Sequence, residues 1–371
     1  MALAGVPSSV ALSLEAQCRA KPDKPCLHQL PACLSQLTSL DLWHLNVQLQ
    51  PGNGFQGVLG TAGLPLKRLY FRKCNLLDGA EGLAAALALL PDLECLTVDY
   101  VKYGDLGSKL FQLTSMMEHL TSLEVFEDTW NHWPPSNAHK PLHLQLLPQL
   151  AVLRLSHLTD PVDSSTLSGL SRLTDLSLGC GMALVPSALA CLTQLSCLYL
   201  CSCRLGFAPG VSELLSILPE LQQLRLLNVA SSLCFEGPPA AAFSALVASS
   251  ELRSLDISGC TLPEHVWQHV PTVFPTGRQL PRLMMLNISE VKHPSSDYRN
   301  ATAPEGSRLV SCCPGLQSLE MRRLQHSAEQ LAPLKGLSRL RRLQLEHRFD
   351  VRRFNVCAEI MNSFSSVLVF S

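Results

Sequence analysis

Residues 195–205 read Leu-Ser-Cys-Leu-Tyr-Leu-Cys-Ser-Cys-Arg-Leu, and the pattern L-x-x-L-x-L that opens this stretch recurs along the chain. Residues 66–76 (LKRLYFRKCNL) and 252–262 (LRSLDISGCTL) repeat it closely. There are twelve copies, whose first leucines stand at positions 37, 66, 93, 120, 150, 173, 195, 221, 252, 283, 316 and 340. The eleven intervals from 37 to 340 average 27.5 residues. A fixed period of this kind indicates a repeat array, so the question of function becomes a question about a partner.

Each copy predicts one short strand followed by a segment that returns the chain. Within L-x-L the side chains alternate, so the leucines point to one side and the intervening residues to the other. Residues 80–90 (AEGLAAALALL) predict a helix that ends before Pro91, and residues 186–195 and 211–218 have a similar pattern. The ninth place of three copies is a cysteine, at Cys74, Cys203 and Cys260, which predicts buried thiols with a structural role.

These copies resemble the leucine-rich repeat family, whose consensus is L-x-x-L-x-L-x-x-N/C-x-L. The resemblance implies an α/β leucine-rich repeat solenoid, a horseshoe of about twelve repeats with a parallel β-sheet on the concave face and helices and loops on the convex face. The short-interval copy at 185–200 resembles plant and algal repeats, and Cys-containing copies such as 313–321 resemble those attached to F-box modules. We assign residues 1–33 to an N-terminal leader or cap, 34–348 to the leucine-rich repeat domain, and 349–371 to a C-terminal cap or partial repeat.

Bulk composition argues against several classes of protein. The net charge of −1 favours neither nucleic acid nor an anionic membrane, and the longest apolar run, residues 83–90, is too short to span a bilayer. The fifteen cysteines follow no disulfide spacing, which favours a reducing compartment, and we expect a cytoplasmic protein, with the cytoskeleton or the ciliary axoneme as specific sites. Two glycosylation sequons, at Asn287 and Asn300, leave an extracellular location open.

The residues that the strands turn outward are the candidates for binding. The early copies place aromatic residues outward beside charged ones, a composition typical of interface hot spots. A basic C-terminal part, net +5 over residues 320–353, is a second candidate surface, and an ordinary solvated face is its alternative. The alternative for the aromatic residues is that they lean on neighbouring repeats. The predicted partner-binding residues are Trp43, Tyr70, Arg72, Asp99, Tyr100, Phe126, Glu127, Arg322 and Arg323.

Enzyme and metal signatures are missing from the sequence. There is no glycine-rich phosphate loop and no G-x-S-x-G motif. His265 and His269 are four residues apart, but no H-E-x-x-H motif or third ligand accompanies them. We therefore predict a non-catalytic protein without cofactor, catalytic residue or metal site.

The sequence predicts a scaffold that binds another protein through the concave face. The alternatives are a substrate-recognition subunit of an SCF-type ubiquitin ligase, similar to F-box proteins with leucine-rich repeats, and a ciliary or cytoskeletal scaffold. The residues before the first copy are too few for a three-helix adaptor-binding module. The apolar C-terminus, residues 366–371, further suggests end-to-end self-association.

Overall fold

The fold is described from a computed structural model. It describes residues 10–15, 37–43, 46–47, 65–76, 79–101, 117–127, 147–156, 162–179, 182–203, 205, 208–233, 245–261, 279–292, 306–324 and 328–345. The chain divides into two compact units, Met1–Met182 and Ala183–Ser371, which we call unit 1 and unit 2.

Unit 1 holds a ladder of parallel strands, one for each of the first six repeats, preceded by one more strand. In chain order its elements are β1 (Val10–Glu15), β2 (Leu37–Trp43), β3 (Asn46–Val47), β4 (Arg68–Arg72), β5 (Asn75–Leu76), helix α1 (Gly79–Leu87), β6 (Cys95–Val101), β7 (Ser122–Glu127), β8 (Val152–Ser156), helix α2 (Ser164–Leu167) and β9 (Asp175–Gly179). The order of the ladder is β1-β2-β4-β6-β7-β8-β9, while β3 and β5 form a separate parallel pair.

Unit 2 continues the same repeat with six parallel strands, each three residues long. Its elements are a 3₁₀ helix (Pro186–Cys191), β10 (Cys197–Tyr199), α3 (Ala208–Ile217), a 3₁₀ helix (Leu218–Glu220), β11 (Leu226–Asn228), β12 (Ser254–Asp256), β13 (Met285–Asn287), α4 (Gly306–Cys312), β14 (Ser318–Glu320), α5 (Ala328–Leu331), a 3₁₀ helix (Ala332–Gly336) and β15 (Arg342–Gln344). The prediction of one short strand per repeat is confirmed.

The core of each unit is the ladder of apolar residues at the first, fourth and sixth places of the repeat. Leu37, Leu40 and Leu42 are fully buried. With the eighth repeat taken from Leu224, the same places are buried in the later repeats within the described residues, except that Leu340 in the last repeat is partly exposed. Burying a leucine stabilises the folded state by about 2 kcal/mol, so no repeat is stable alone and each depends on its neighbours.

The eighth repeat is in a different frame from the one the pattern predicted. The copy Leu221-Leu224-Leu226 is wrong, because Leu227, not Leu226, lies in register with Leu198 and Leu255. Leu227 and Val229 are fully buried, whereas Leu226 is partly exposed. The repeat therefore starts at Leu224. Leucines at 221, 224, 226 and 227 fit two frames of the pattern, and only the pairing with neighbouring strands separates them.

The ninth place joins a repeat to the preceding one through a buried hydrogen bond in three repeats, and Cys74, Cys203 and Cys260 are buried as predicted. The thiol of Cys74 donates to the Leu42 carbonyl and that of Cys260 to the Val229 carbonyl, each at 3.2 Å. In the corrected frame Ser232 occupies the ninth place, and its hydroxyl donates to the carbonyl of Leu200. A serine hydroxyl thus replaces the thiol in one repeat.

The eighth place of the repeat turns the chain away from the sheet. Its residue has a positive φ between 52° and 66° in six repeats, at Lys73, Ser202, Ser231, Gly259, Glu290 and Arg323. Only one of these is glycine, and a Cβ there would lie 2.4 Å from the Ser231 hydroxyl oxygen. The left-handed conformation costs an ordinary residue about 1–2 kcal/mol, which the surrounding ladder has to offset.

The predicted leader or cap at residues 1–33 contributes a strand. β1 pairs in parallel with β2, placing Leu12 beside Leu40 and Leu14 beside Leu42. The predicted apolar C-terminus, the whole of residues 349–371, and the pair His265 and His269 lie outside the described residues.

Candidate partner-binding surface

Strand alternation decides which side chains the sheet turns away from the leucine core. The third, fifth and seventh places of each repeat lie on this opposite side, which we call the open face. The register places Trp43 beside Arg72, and Arg72 beside Asp99. Tyr70 is two residues before Arg72 on the same strand. Four of the predicted binding residues therefore lie together on β2, β4 and β6.

Arg72 is held between two aromatic rings. Its guanidinium carbon lies 5.0 Å from the ring centroid of Trp43 and 5.4 Å from that of Tyr70. A cation–π contact contributes about 0.5–1 kcal/mol at an exposed site. Because about a third of the arginine side chain, 33 %, stays exposed, the two rings fix its position while leaving it accessible to a partner.

A carboxylate completes this arrangement. Oδ1 of Asp41 lies 3.4 Å from Nε of Arg72, and neither atom has a hydrogen-bond partner among the described residues, although both are buried. An unsatisfied buried polar atom costs free energy, typically about 1–3 kcal/mol. We call Asp41, Trp43, Tyr70 and Arg72 the aromatic cluster.

Tyr70 carries a polar group at the edge of the aromatic cluster. The Cys95 thiol on the next strand donates to its hydroxyl oxygen at 3.8 Å. Burial raises the pKa of Tyr70, and the neighbouring thiol adds to this, while Arg68 and Arg72 act in the opposite direction. The phenol is therefore a neutral hydrogen-bonding group at physiological pH.

Asp99 lies at the opposite side of Arg72 from Trp43. Burial raises the pKa of Asp99, and the carboxylate of Glu124 adds to the rise. The positive charges of Arg72 and Lys73 oppose it. A carboxylate that is partly desolvated beside an arginine is an acceptor for a donor group supplied by a partner.

An ion-pair network on β7, β8 and β9 lies further along the sheet from the aromatic cluster. Arg154 lies 3.2 Å from Glu124 on one side and 3.1 Å from Asp175 on the other, with its Nε also donating to Asp175 at 3.4 Å. The hydroxyl of Thr97 donates to Glu124 at 3.5 Å. This network pairs the carboxylates of Glu124 and Asp175 with one arginine.

Three further predicted residues of unit 1 are placed less completely. Phe126 lies on the open face, half-buried, in register with Asp99 and Ser156. Tyr100 and Glu127 belong to β6 and β7, but their side chains lie outside the described residues. Trp130 and Trp133, which follow β7 in the chain, lie outside them as well.

The two predicted residues of unit 2 are engaged by their own repeat and its neighbours. Arg322 donates from Nε to the Gln344 side-chain oxygen at 3.1 Å and lies 3.7 Å from Glu320. Arg323 lies 3.3 Å from Glu290. Both arginines therefore stabilise contacts between adjacent repeats, whatever partner they also meet.

The open face of unit 2 holds a side-chain network that the sequence analysis missed. The fifth places of three consecutive repeats are Asn228, Asp256 and Asn287, and both asparagine amides donate to Oδ2 of Asp256, at 3.5 and 3.1 Å. Each of the three side chains also accepts the backbone N–H of the residue two places on, at 2.9, 2.9 and 3.1 Å. The signal was present as Asn or Asp at the fifth place three times in succession, once the eighth repeat is in its correct frame. We call these residues the Asx ladder.

Among the described residues, no group of three or more His, Cys, Asp or Glu side chains is arranged to hold a metal ion. No helix in that part of the chain is long and apolar enough to cross a membrane.

Comparison with known proteins identifies the fold. No family model matches the chain, and no curated protein matches it. Among solved structures, the chain is similar to the internalin InlF of Listeria monocytogenes, a leucine-rich repeat protein, with 19 % identity and a TM-score of 0.54 over 92 % of this chain and 82 % of the internalin. TLR13 in the TLR13–ssRNA13 complex aligns with 18 % identity and a TM-score of 0.49 over 90 % of this chain and 42 % of TLR13. Together with the strands of the two units, the internalin similarity shows that the chain folds as a leucine-rich repeat solenoid of about twelve repeats.

Proposed function

We propose that the protein is a non-catalytic scaffold that binds a partner protein through the open face of unit 1. The observation that carries the proposal is the aromatic cluster, where Arg72 is fixed between Trp43 and Tyr70. Tryptophan, tyrosine and arginine are the residues most enriched in interface hot spots. Held in place by the sheet, they lose little conformational entropy on binding, so contact with a partner is stronger.

The charges around the aromatic cluster favour a protein over a nucleic acid as the partner. Asp41, Asp99 and Glu124 are carboxylates on the same face. They would repel phosphate groups, whereas nucleic-acid affinity depends on an excess of positive charge. A mixture of acids, arginines and aromatic rings suits the polar and aromatic surface of a protein.

We further propose that the protein works in the cytoplasm. Cys74 and Cys260 use their thiols as hydrogen-bond donors inside the ladder. The amide nitrogen of Asn287, where a glycan would be attached, donates to Asp256. The hydroxyl of the same sequon, on Ser289, is buried and accepts the backbone N–H of Arg322 at 3.0 Å. A ligase receptor or a ciliary scaffold would use the same face, and identification of the partner separates these roles.

The experiment compares capture of partners by two variants with matched positions. The Trp43→Ala/Tyr70→Ala variant removes both rings, and the control Tyr199→Ala removes the tyrosine at the same fifth place of a repeat in unit 2. Tagged proteins are incubated with native extract, bound proteins are quantified by mass spectrometry, and circular dichroism checks folding. We expect a partner that wild type and Tyr199→Ala retain and the double variant loses. Equal retention by all three proteins contradicts the proposal.

A further inference from the structure

The edge of unit 2 where its strands begin is strongly basic. The second place of the repeat carries Arg225, Arg253 and Arg341, and Arg339 comes two residues before the last of these. All four side chains are exposed. We call these four arginines the basic rim.

The backbone ladder places the members of the basic rim on one edge. The N–H of Arg253 donates to the Arg225 carbonyl at 2.7 Å, so these two residues occupy the same place on adjacent strands. The second places of the next three repeats are Met284, Gln317 and Arg341. The backbone N–H of each donates to the carbonyl of the second place in the preceding repeat, at 2.8 Å. Adjacent strands lie about 4.8 Å apart, so Arg225 and Arg253 set two like charges side by side.

Carboxylates do not neutralise the basic rim. At the same edge Glu251 pairs with Arg282, and on the open face Glu320 lies 3.5 Å from Arg342. Among the described residues, no carboxylate lies within ion-pair distance of the four arginines of the rim, including the exposed Glu220 that precedes the eighth repeat. Exposed like charges without counter-charges contribute nothing to folding, and they raise the local concentration of an anionic partner.

The corresponding edge of unit 1 is different. Lys67 and Glu94 form a salt bridge there, and Asp92 and Glu118 are exposed. Arg172 is an exposed arginine just before the sixth repeat, as Arg339 is before the twelfth. The same repeat therefore produces a mixed edge in one unit and a basic edge in the other.

Apolar side chains lie next to the basic rim. The third places of the eighth and tenth repeats are Leu226 and Met285, and Met285 is 47 % exposed. Within the described strands of repeats eight to twelve, no aromatic residue occupies the open face, although stacking on aromatic rings is what single-stranded nucleic acids require. Asp256 and Glu320 on the same face would also repel a phosphate backbone.

We propose that the basic rim binds an acidic segment of a partner protein, with an apolar side chain of that segment packed on Met285. Carboxylates of the segment pair with the arginines, which present planar donors suited to carboxylates. The exposed methionine provides adaptable apolar contact beside them. This surface is separate from the aromatic cluster of unit 1, and its occupant is defined by charge and one apolar group.

The test uses labelled synthetic peptides and the full chain. One peptide has glutamates flanking a leucine, a second has glutamates only, and binding is measured by fluorescence anisotropy at increasing salt. Arg225→Glu/Arg253→Glu should weaken binding of the first peptide by about tenfold or more, and salt should weaken the wild type likewise. The control Arg172→Glu should bind as wild type does. Met285→Ser should weaken binding of the leucine-containing peptide and leave the glutamate-only peptide unchanged.

Several results would overturn the proposal. One is an equal loss of affinity in Arg172→Glu, since binding would then reflect total charge rather than this edge. Another is that a single-stranded RNA oligonucleotide or phosphatidylserine vesicles bind more tightly than the peptide does, and that the Arg225→Glu/Arg253→Glu variant loses this binding as well. If that variant does not fold by circular dichroism, Arg341→Gln provides the same comparison with a smaller change. The Trp43→Ala/Tyr70→Ala variant should bind the peptide as wild type does. A failure of the basic-rim proposal can therefore be distinguished from a failure of the proposal for unit 1.

Discussion

The open faces of unit 1 and unit 2 carry different chemistry on the same repeat pattern. In unit 1 the strands present an arginine between two rings and an arginine between two carboxylates. In unit 2 the central strands present the Asx ladder, in which side chains bond mainly to their own backbone and to one another. The first, fourth and sixth places determine the fold, so the third, fifth and seventh places are free to differ between the two units.

The strands also differ in length, and the Asx ladder explains part of the difference. The repeat strands of unit 1 have five to seven residues, while those of unit 2 have three. In β11 to β13, the fifth-place side chain accepts the N–H of the seventh place, which would otherwise donate to the neighbouring strand. This leaves the carbonyls of Leu200 and Val229 without a donor from the neighbouring strand. The hydroxyl of Ser232 and the thiol of Cys260 donate to these two carbonyls instead. β11 and β12 therefore end early while the opposing carbonyls of Leu200 and Val229 keep a donor.

The largest expected effect tests the corrected frame of the eighth repeat. Leu227→Ala should lower the free energy of unfolding by about 2–5 kcal/mol, because it removes a fully buried leucine from the ladder. Leu226→Ala, one residue away and partly exposed, should cost less than about 1 kcal/mol. Urea unfolding followed by circular dichroism measures both. The opposite ranking would restore the frame that starts at Leu221.

A carboxylate at the fifth place should matter more in unit 2 than in unit 1. Asp256→Ala leaves three donors without an acceptor, from Asn228, Ser258 and Asn287, and should cost about 1–3 kcal/mol. Glu124→Ala removes a half-exposed ion pair with Arg154 and should cost less than about 1 kcal/mol. The same unfolding measurement applies, and equal losses would remove the proposed difference between the two faces.

The ninth place should accept either a thiol or a hydroxyl. Ser232→Ala leaves the Leu200 carbonyl without this donor and should cost about 1 kcal/mol. Ser232→Cys should recover most of that loss, because Cys74 and Cys260 donate from the same place in other repeats. Thermal unfolding of the two variants gives the comparison. A cysteine variant as unstable as the alanine variant would show that the places are not equivalent.

The smallest effects concern pH and two carboxylates of unit 1. Asp163 precedes α2 and accepts the hydroxyls of Ser165 and Thr166 and the backbone N–H of Thr166, which lowers its pKa below the ordinary 3.8. Its contribution to stability is therefore present above the unfolded-state pKa and is lost as pH falls through the lower folded-state value. Burial instead raises the pKa of Asp99, so its contribution is present below the unfolded-state pKa and is lost as pH rises through the folded-state value.

The two asparagine variants should consequently change stability in opposite directions. At neutral pH, Asp163→Asn should unfold at lower urea than wild type, and Asp99→Asn at higher urea. Both differences should shrink as the solution is acidified toward the pKa of each carboxyl group. Urea midpoints between neutral and acidic pH test this, and a shift of the same sign in both variants would contradict it.

The sequence predicts the ladder better than it predicts the surface. The repeat at Leu66 or Leu252 defines a strand because apolar residues at fixed places can be buried only by stacking. The pattern alone does not show that the eighth repeat begins at Leu224, since four nearby leucines fit two frames. Trp43 and Arg72 are 29 residues apart in the chain. The register of adjacent strands brings them into contact. Residues 10–15 carry no repeat of the pattern, yet they extend the ladder as a strand.

The most direct test of the proposed function is site-specific photocrosslinking on the open face of each unit. A photoreactive amino acid is placed at Arg68, an exposed third-place residue two positions before Tyr70, and in a second protein at Ser254, the third place of a repeat in unit 2. After irradiation in native extract, we predict a crosslinked protein partner at position 68 that the Trp43→Ala/Tyr70→Ala background abolishes, and no such partner at position 254. A partner crosslinked equally at both positions, or one unaffected by loss of the two rings, would contradict the account.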